Sequence, residues 1–103
     1  MLKTFALAAL LLAAPAAATA EELTHERAMK RMEACLSAGA PGAPRDRLLS
    51  AVVQLRALCK PQIDRVLELR LAGVEDEAER DAITRRLNDE VAFAIANYTG
   101  LSL

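Results

Sequence analysis

Two cysteines, Cys35 and Cys59, are the residues with the most distinctive chemistry in this sequence. Paired, they close a loop of about 25 residues, and the chain-entropy model gives such a bridge about 3–4 kcal/mol of stability. A redox-active dithiol is the alternative, but the CxxC spacing that favours it is absent. Because a single pair of cysteines in a small domain is most simply a structural bridge, we predict a Cys35–Cys59 disulfide.

Metal binding depends on the single histidine, His25, once the cysteines are assigned to a disulfide. Zinc and copper sites need several converging ligands, so the simplest interpretation of His25 is a solvated side chain. A site formed with Glu21, Glu22 or Glu26 stays open, although the pattern is unspecific. Methionines at helical spacing favour core packing over a copper thioether site. We therefore predict no metal and no cofactor.

Catalytic patterns are missing from the sequence. Serines are few and none lies in a GxSxG context, so nucleophilic hydrolysis has no support. Acidic residues are concentrated in one stretch. Negative charge stabilises the N-terminal end of a helix, and this is a better explanation of the stretch than an acid/base catalytic pair. Arg85 and Arg86 are surrounded by acids, which indicates a salt-bridged surface. The sequence predicts no catalytic residue and no enzyme. The acidic stretch comprises Glu75, Asp76, Glu77, Glu79 and Asp81.

The composition mixes two different segments. Of 103 residues, 53% are hydrophobic, but Met1 to Ala20 is almost wholly apolar with Lys3 as its one charge. Without that segment, 12 basic residues face 14 acidic ones, a net charge of −2. This balance argues against a nucleic-acid binder. The remaining chain is the size of one small domain with marginal core stability.

Residues 1–20 have the three parts of a secretory signal peptide. Lys3 is the basic part, Phe5 to Ala14 the apolar part, and Ala18-Thr19-Ala20 the small residues before a cleavage site. The apolar part is shorter than the roughly 20 residues that span a bilayer. We predict cleavage after Ala20, no stable membrane anchor, and a secreted protein, periplasmic if the source is Gram-negative.

The rest of the chain, 21–103, has the pattern of one helical domain. Apolar residues recur at helical intervals, and proline and glycine interrupt them. This predicts helices over about 24–38, 45–72 and 75–99, with a kink or break near 60–61 where Pro61 removes a backbone donor. The fold class is all-α, a small three- or four-helix bundle clamped by one disulfide. Only Phe93 and Tyr98 are aromatic here, so the core should be aliphatic and rich in alanine.

If Cys35 and Cys59 are bonded, the helix segments between each cysteine and the connector differ in length. Cys35 lies about 6 Å from the end of its helix, whereas Cys59 lies about 21 Å into the next. The second helix should therefore project, leaving Leu48 and Leu49 to be covered by the third helix or by another chain. Burial within the monomer is the favoured alternative. If another chain covers this region, Leu48, Leu49 and Val52 form an interaction surface.

These features favour a non-catalytic binding protein, an accessory or envelope-stress factor with an unidentified protein partner in the cell envelope, as a monomer or small homo-oligomer. The layout of signal peptide, short helical domain and two cysteines resembles that of periplasmic acid-stress chaperones, without a shared motif. A more specific form of this hypothesis is a disulfide-clamped chaperone, independent of adenosine triphosphate, that exposes Leu48, Leu49 and Val52 when the bundle loosens. The alternative is a carrier of a metal or a small apolar ligand.

Overall fold

The computed structural model describes residues 19–102, and this part of the chain is all-helical, without strands. The predicted signal peptide lies almost entirely outside the described residues. Four α-helices and one 3-10 turn follow each other through short connections: α1 (Ala20–Gly39), the 3-10 turn (Ala40–Gly42), α2 (Leu48–Leu58), α3 (Lys60–Leu71) and α4 (Glu77–Thr99).

Helix α1 begins four residues before the predicted start. Thr19 is its N-cap, and the side-chain hydroxyl accepts a hydrogen bond from the Glu22 backbone N–H at 3.1 Å. Thr24, the first residue of the predicted helix, is also of a type that caps helices, but it lies inside α1 and donates to the Ala20 carbonyl. The two residues have the same capping chemistry, and the upstream one starts the helix because Glu21 and Glu22 then occupy the first turn.

Gly39 is the last residue of α1, yet its backbone is helical and the chain continues directly into the 3-10 turn. Its value lies in close packing. A Cβ placed on Gly39 would lie 2.7 Å from Leu58 Cδ2 and 2.8 Å from Leu55 Cδ2. The absence of a side chain therefore lets the end of α1 approach α2 closely.

The predicted interruption near Pro61 is a one-residue joint at Cys59 between α2 and α3. Pro61 lies in the first turn of α3, where its missing N–H costs nothing. The Cys59 N–H still bonds to the Leu55 carbonyl, and the Ile63 N–H bonds to the Cys59 carbonyl at 3.0 Å. The chain therefore bends at Cys59 with few backbone hydrogen bonds lost.

Helix α2 begins at Leu48, three residues later than expected, because the chain before it serves another contact. Arg45 Nη1 donates to the Thr99 carbonyl at 2.8 Å. This contact satisfies a carbonyl at the end of α4 with a positive group, which suits the negative end of the helix dipole. It also ties the start of α2 to the end of α4.

Helix α4 has both of its ends defined by side-chain or backbone caps. The Asp76 carboxylate accepts from the Glu79 N–H at 2.9 Å, and Gly100, with φ of 74°, ends the helix in the left-handed conformation. Arg80 donates to the Val74 carbonyl at 2.7 Å and so closes the turn from α3. These contacts fix where α4 begins and ends, and the helix packs against the other three.

The core of the described residues is aliphatic, as predicted, and contains no aromatic side chain. Each helix contributes residues spaced three or four apart, the pattern of an amphipathic helix. Phe93 lies at the surface, 72% exposed, and no helix in the described part is both long and apolar enough to span a bilayer. The largest fully buried side chains are Met32, Leu36, Leu55, Cys59, Val66, Leu87, Val91 and Ile95.

Candidate functional site

The predicted disulfide between Cys35 and Cys59 is confirmed. The two Cα atoms are 5.9 Å apart, and Cys59 is fully buried. Because Cys59 is also the joint between α2 and α3, the bridge attaches the late part of α1 to the point where the chain bends. Both cysteines of the chain are in this bond, so neither offers a thiol for redox chemistry or metal binding.

The three residues of the predicted interaction surface have different surroundings. Leu48 is buried in the core, where α2 packs against α4, so it is not available at the surface of the single chain. Val52 is half-buried and packs against the core. Leu49 is exposed over 62% of its surface. The structure therefore divides the three residues, because 48 and 52 lie on the inner side of α2 and 49 does not.

Val53, which the sequence pattern did not distinguish, is also exposed over 62% of its surface. Leu49, Val53 and Arg56 are four and three residues apart and share one side of the helix. We call these three residues the α2 outer face. Arg56 is the one charged residue within α2, although one side of this helix is exposed to solvent. The solvent side of α2 also carries Gln54, but it has fewer charged groups than is usual for a short surface helix.

A polar cluster gathers around Arg70 between three helices. Arg70 Nη1 and Nη2 donate to the two carboxylate oxygens of Glu90 at 2.7 and 3.0 Å. Arg70 Nε donates to His25 Nε2 at 3.1 Å, and Nη2 lies 3.2 Å from Met29 Sδ. We call these four residues the Arg70 cluster. One guanidinium thus links α3 to α4 and to α1.

The electrostatic effect of the Arg70 cluster falls on Glu90. The hydrogen bonds from Arg70 lower the pKa of Glu90 from its ordinary value of 4.5, although partial burial acts in the opposite direction. The positive charges of Arg70 and Arg86 add to the lowering. Glu90 is therefore ionised at neutral pH and serves as the fixed partner of Arg70.

His25 is held by Arg70, whereas the sequence favoured a solvated side chain. His25 Nε2 accepts this hydrogen bond from Arg70 Nε. Glu21, Glu22 and Glu26 line the same open cleft as His25, of about 1070 Å³. Among residues 19–102, however, no three histidine, cysteine, aspartate or glutamate side chains are grouped so that they could hold a metal ion.

The acidic stretch spans the start of α4 and has a structural role in part, since Asp76 caps the helix and Glu77 and Glu79 lie in its first turn. Arg80 belongs to the turn from α3, and Arg86 faces the Arg70 cluster across a shallow cleft with Ile83. In the sequence, Arg70 lies between Leu69 and Leu71, and this position is the feature that could have indicated a partly buried arginine. Nothing in that feature identified Glu90 or His25 as its partners.

No protein-family model, curated protein or solved structure matches this chain.

Proposed function

We propose that this chain is an exported, non-catalytic binding protein that docks onto a partner protein through the α2 outer face. The exposure of Leu49 and Val53 carries the proposal. The other three helices each have five or more charged residues, whereas α2 has one. Two aliphatic side chains one turn apart, with an adjacent arginine, fit a partner that presents an apolar groove with a carboxylate opposite Arg56.

The exported location is supported by two features. The N-terminal sequence has the order of a signal peptide, and the Cys35–Cys59 disulfide suits an oxidising compartment. The periplasm is the expected site if the source is Gram-negative. An envelope-stress role is a form of the same proposal, in which loosening of the bundle adds Leu48 and Val52 to the α2 outer face.

Site-specific photo-crosslinking tests the proposal in the native envelope. A photoreactive residue in place of Leu49 should give a discrete crosslinked product, since this side chain faces the partner. Val53→Glu should abolish that product, because a carboxylate would then be buried in the apolar contact. A photoreactive residue in place of Asn88, an exposed position on α4, is the matched control and should give no such product.

Two results count against the proposal. If the product from position 49 persists with Val53→Glu, or if position 88 gives the same product, the α2 outer face is not the docking surface. Native mass spectrometry of protein from its own host separates a binding protein from the carrier alternative. A bound small molecule or metal of constant mass favours a carrier, whereas a free monomer or a small oligomer favours the proposal.

A further inference from the structure

A second surface of the molecule has the opposite character to the α2 outer face. Between α1 and the start of α3 lies a cleft of about 330 Å³. Its charged side chains are Arg27 and Arg31 from α1 and Arg65 from α3, and no carboxylate lines it. We call it the basic cleft. Its volume is at the lower end of the range for small-molecule pockets.

The arginines of the basic cleft are only partly neutralised by the protein. Arg27 and Arg31 are one helical turn apart on the same side of α1, where like charges repel. Neither is in an ion pair with another residue in the described range 19–102. Arg65 pairs with Glu68 through Nη1 alone, and a guanidinium has five N–H donors, so others stay free for a ligand.

Gln62 adds a polar group to the same cleft. Its Oε1 is buried and has no hydrogen-bond partner among the described residues. A buried acceptor without a donor is unfavourable. Because Oε1 makes no hydrogen bond within the protein, the Gln62 amide is free to rotate toward the cleft. A ligand that carries a hydroxyl as well as negative oxygens would suit both Gln62 and the arginines.

We propose that the basic cleft binds a phosphate group, either of a free phosphate compound or of a lipid headgroup. Guanidinium groups match phosphate oxygens with paired N–H donors, and a hydrogen phosphate also carries the hydroxyl that can donate to Gln62. A long polyanion fits less well, because the cleft is small and the whole chain has a net charge of −1. This assignment is independent of the docking proposed for α2.

Titration calorimetry with inorganic phosphate tests the assignment, with chloride keeping the ionic strength constant. The wild-type protein, expressed as the full chain, should bind phosphate more tightly than sulfate, which has no proton to donate near neutral pH. Arg27→Gln and Arg31→Gln should each weaken binding about tenfold, the usual loss for one charge-assisted hydrogen bond. Arg85→Gln removes the same charge from an exposed position on α4 and should leave binding unchanged.

Vesicles distinguish the two sources of phosphate. Cosedimentation with vesicles of equal parts phosphatidylcholine and phosphatidylglycerol, lost with Arg27→Gln, supports a lipid headgroup. Binding of inorganic phosphate without cosedimentation supports a free phosphate compound. The assignment is overturned if phosphate binds no better than sulfate, or if Arg27→Gln and Arg85→Gln behave alike. Unchanged circular dichroism of the variants ensures that a loss of binding does not reflect unfolding.

Discussion

Helices α1 and α3 are joined at two positions of opposite character. At the first position, Cys35 and Cys59 form a covalent bond within an aliphatic core, and at the second position Arg70 makes polar contacts. The two positions are about 15 Å apart along α1, since ten residues separate His25 from Cys35. Both also involve a third helix: Cys59 ends α2, and Glu90 belongs to α4. Because Cys35 meets Cys59 and His25 meets Arg70, α1 and α3 run antiparallel.

The disulfide and the Arg70 cluster differ in how their stabilising effects respond to salt and pH. The disulfide constrains the unfolded chain, and neither salt nor acid changes that effect. The Arg70 cluster depends on charge, and solvent reaches it, since the Glu90 side chain is 39% exposed. A domain of this size has a small core, so we expect the covalent contact to contribute most of the stability and the polar cluster to fix how α1, α3 and α4 are oriented.

Loss of the disulfide should have the largest effect. Cys35→Ala combined with Cys59→Ala leaves no free thiol and should lower the free energy of unfolding by about 3 kcal/mol, because the unfolded chain regains the entropy of a loop of about 25 residues. Urea unfolding followed by circular dichroism measures the change. The loss is comparable with the whole stability of a small domain, so partial unfolding at room temperature is also expected.

Reduction of the wild-type protein is the control for that experiment. Reductant should lower the midpoint of the wild type to that of the double alanine variant and leave the variant itself unchanged. A double variant within about 0.5 kcal/mol of the wild type would show that the aliphatic core alone is sufficient, and the contrast between the two positions would be lost.

Removal of the arginine should have an intermediate effect. Arg70→Met keeps an unbranched side chain of similar reach but removes the donors to Glu90 and His25. We expect a loss of about 1–2 kcal/mol, since Arg70 is mostly buried while water screens the Glu90 side of the pair. A double-mutant cycle with Glu90→Gln isolates the pair from packing. A coupling energy near zero would mean that Arg70 acts through packing alone.

Acid should have the smallest effect of the three, less than about 1 kcal/mol at this exposed carboxylate. The folded protein has a lower pKa for Glu90 than the unfolded chain, so Glu90 stabilises the fold fully above its ordinary value of 4.5. That contribution decreases as the pH falls through the lowered pKa. Urea unfolding at pH values from neutral to acidic should therefore show the wild type and Glu90→Gln converging in acid.

The disulfide variant provides the comparison for this pH dependence. Cys35→Ala with Cys59→Ala should lose the same stability at every pH, because bonded cysteines do not titrate. A difference between wild type and Glu90→Gln that stays constant from neutral to acidic pH would contradict the role given to Glu90.

Local sequence signals predicted much of the fold. Apolar spacing and the positions of proline and glycine predicted an all-helical domain, an interruption beside Pro61 and a last helix that ends near residue 99, because each depends on backbone geometry within one turn. The Cys35–Cys59 pairing followed directly, since a chain with two cysteines has one possible internal disulfide. Boundaries were less accurate, as with α1, where Thr19 and Thr24 are equivalent caps by sequence.

Tertiary packing decided the rest. Leu48 and Leu49 are adjacent and identical in type, yet one is buried in the core and the other is exposed, because neighbours in a helix point about 100° apart. Arg70 was visible as an arginine among leucines, but its partners come from residues 45 and 20 positions away. The sequence determined helix type, bridge and core composition through local chemistry. Which side chains converge in the Arg70 cluster, the basic cleft and the α2 outer face depended on how the four helices pack.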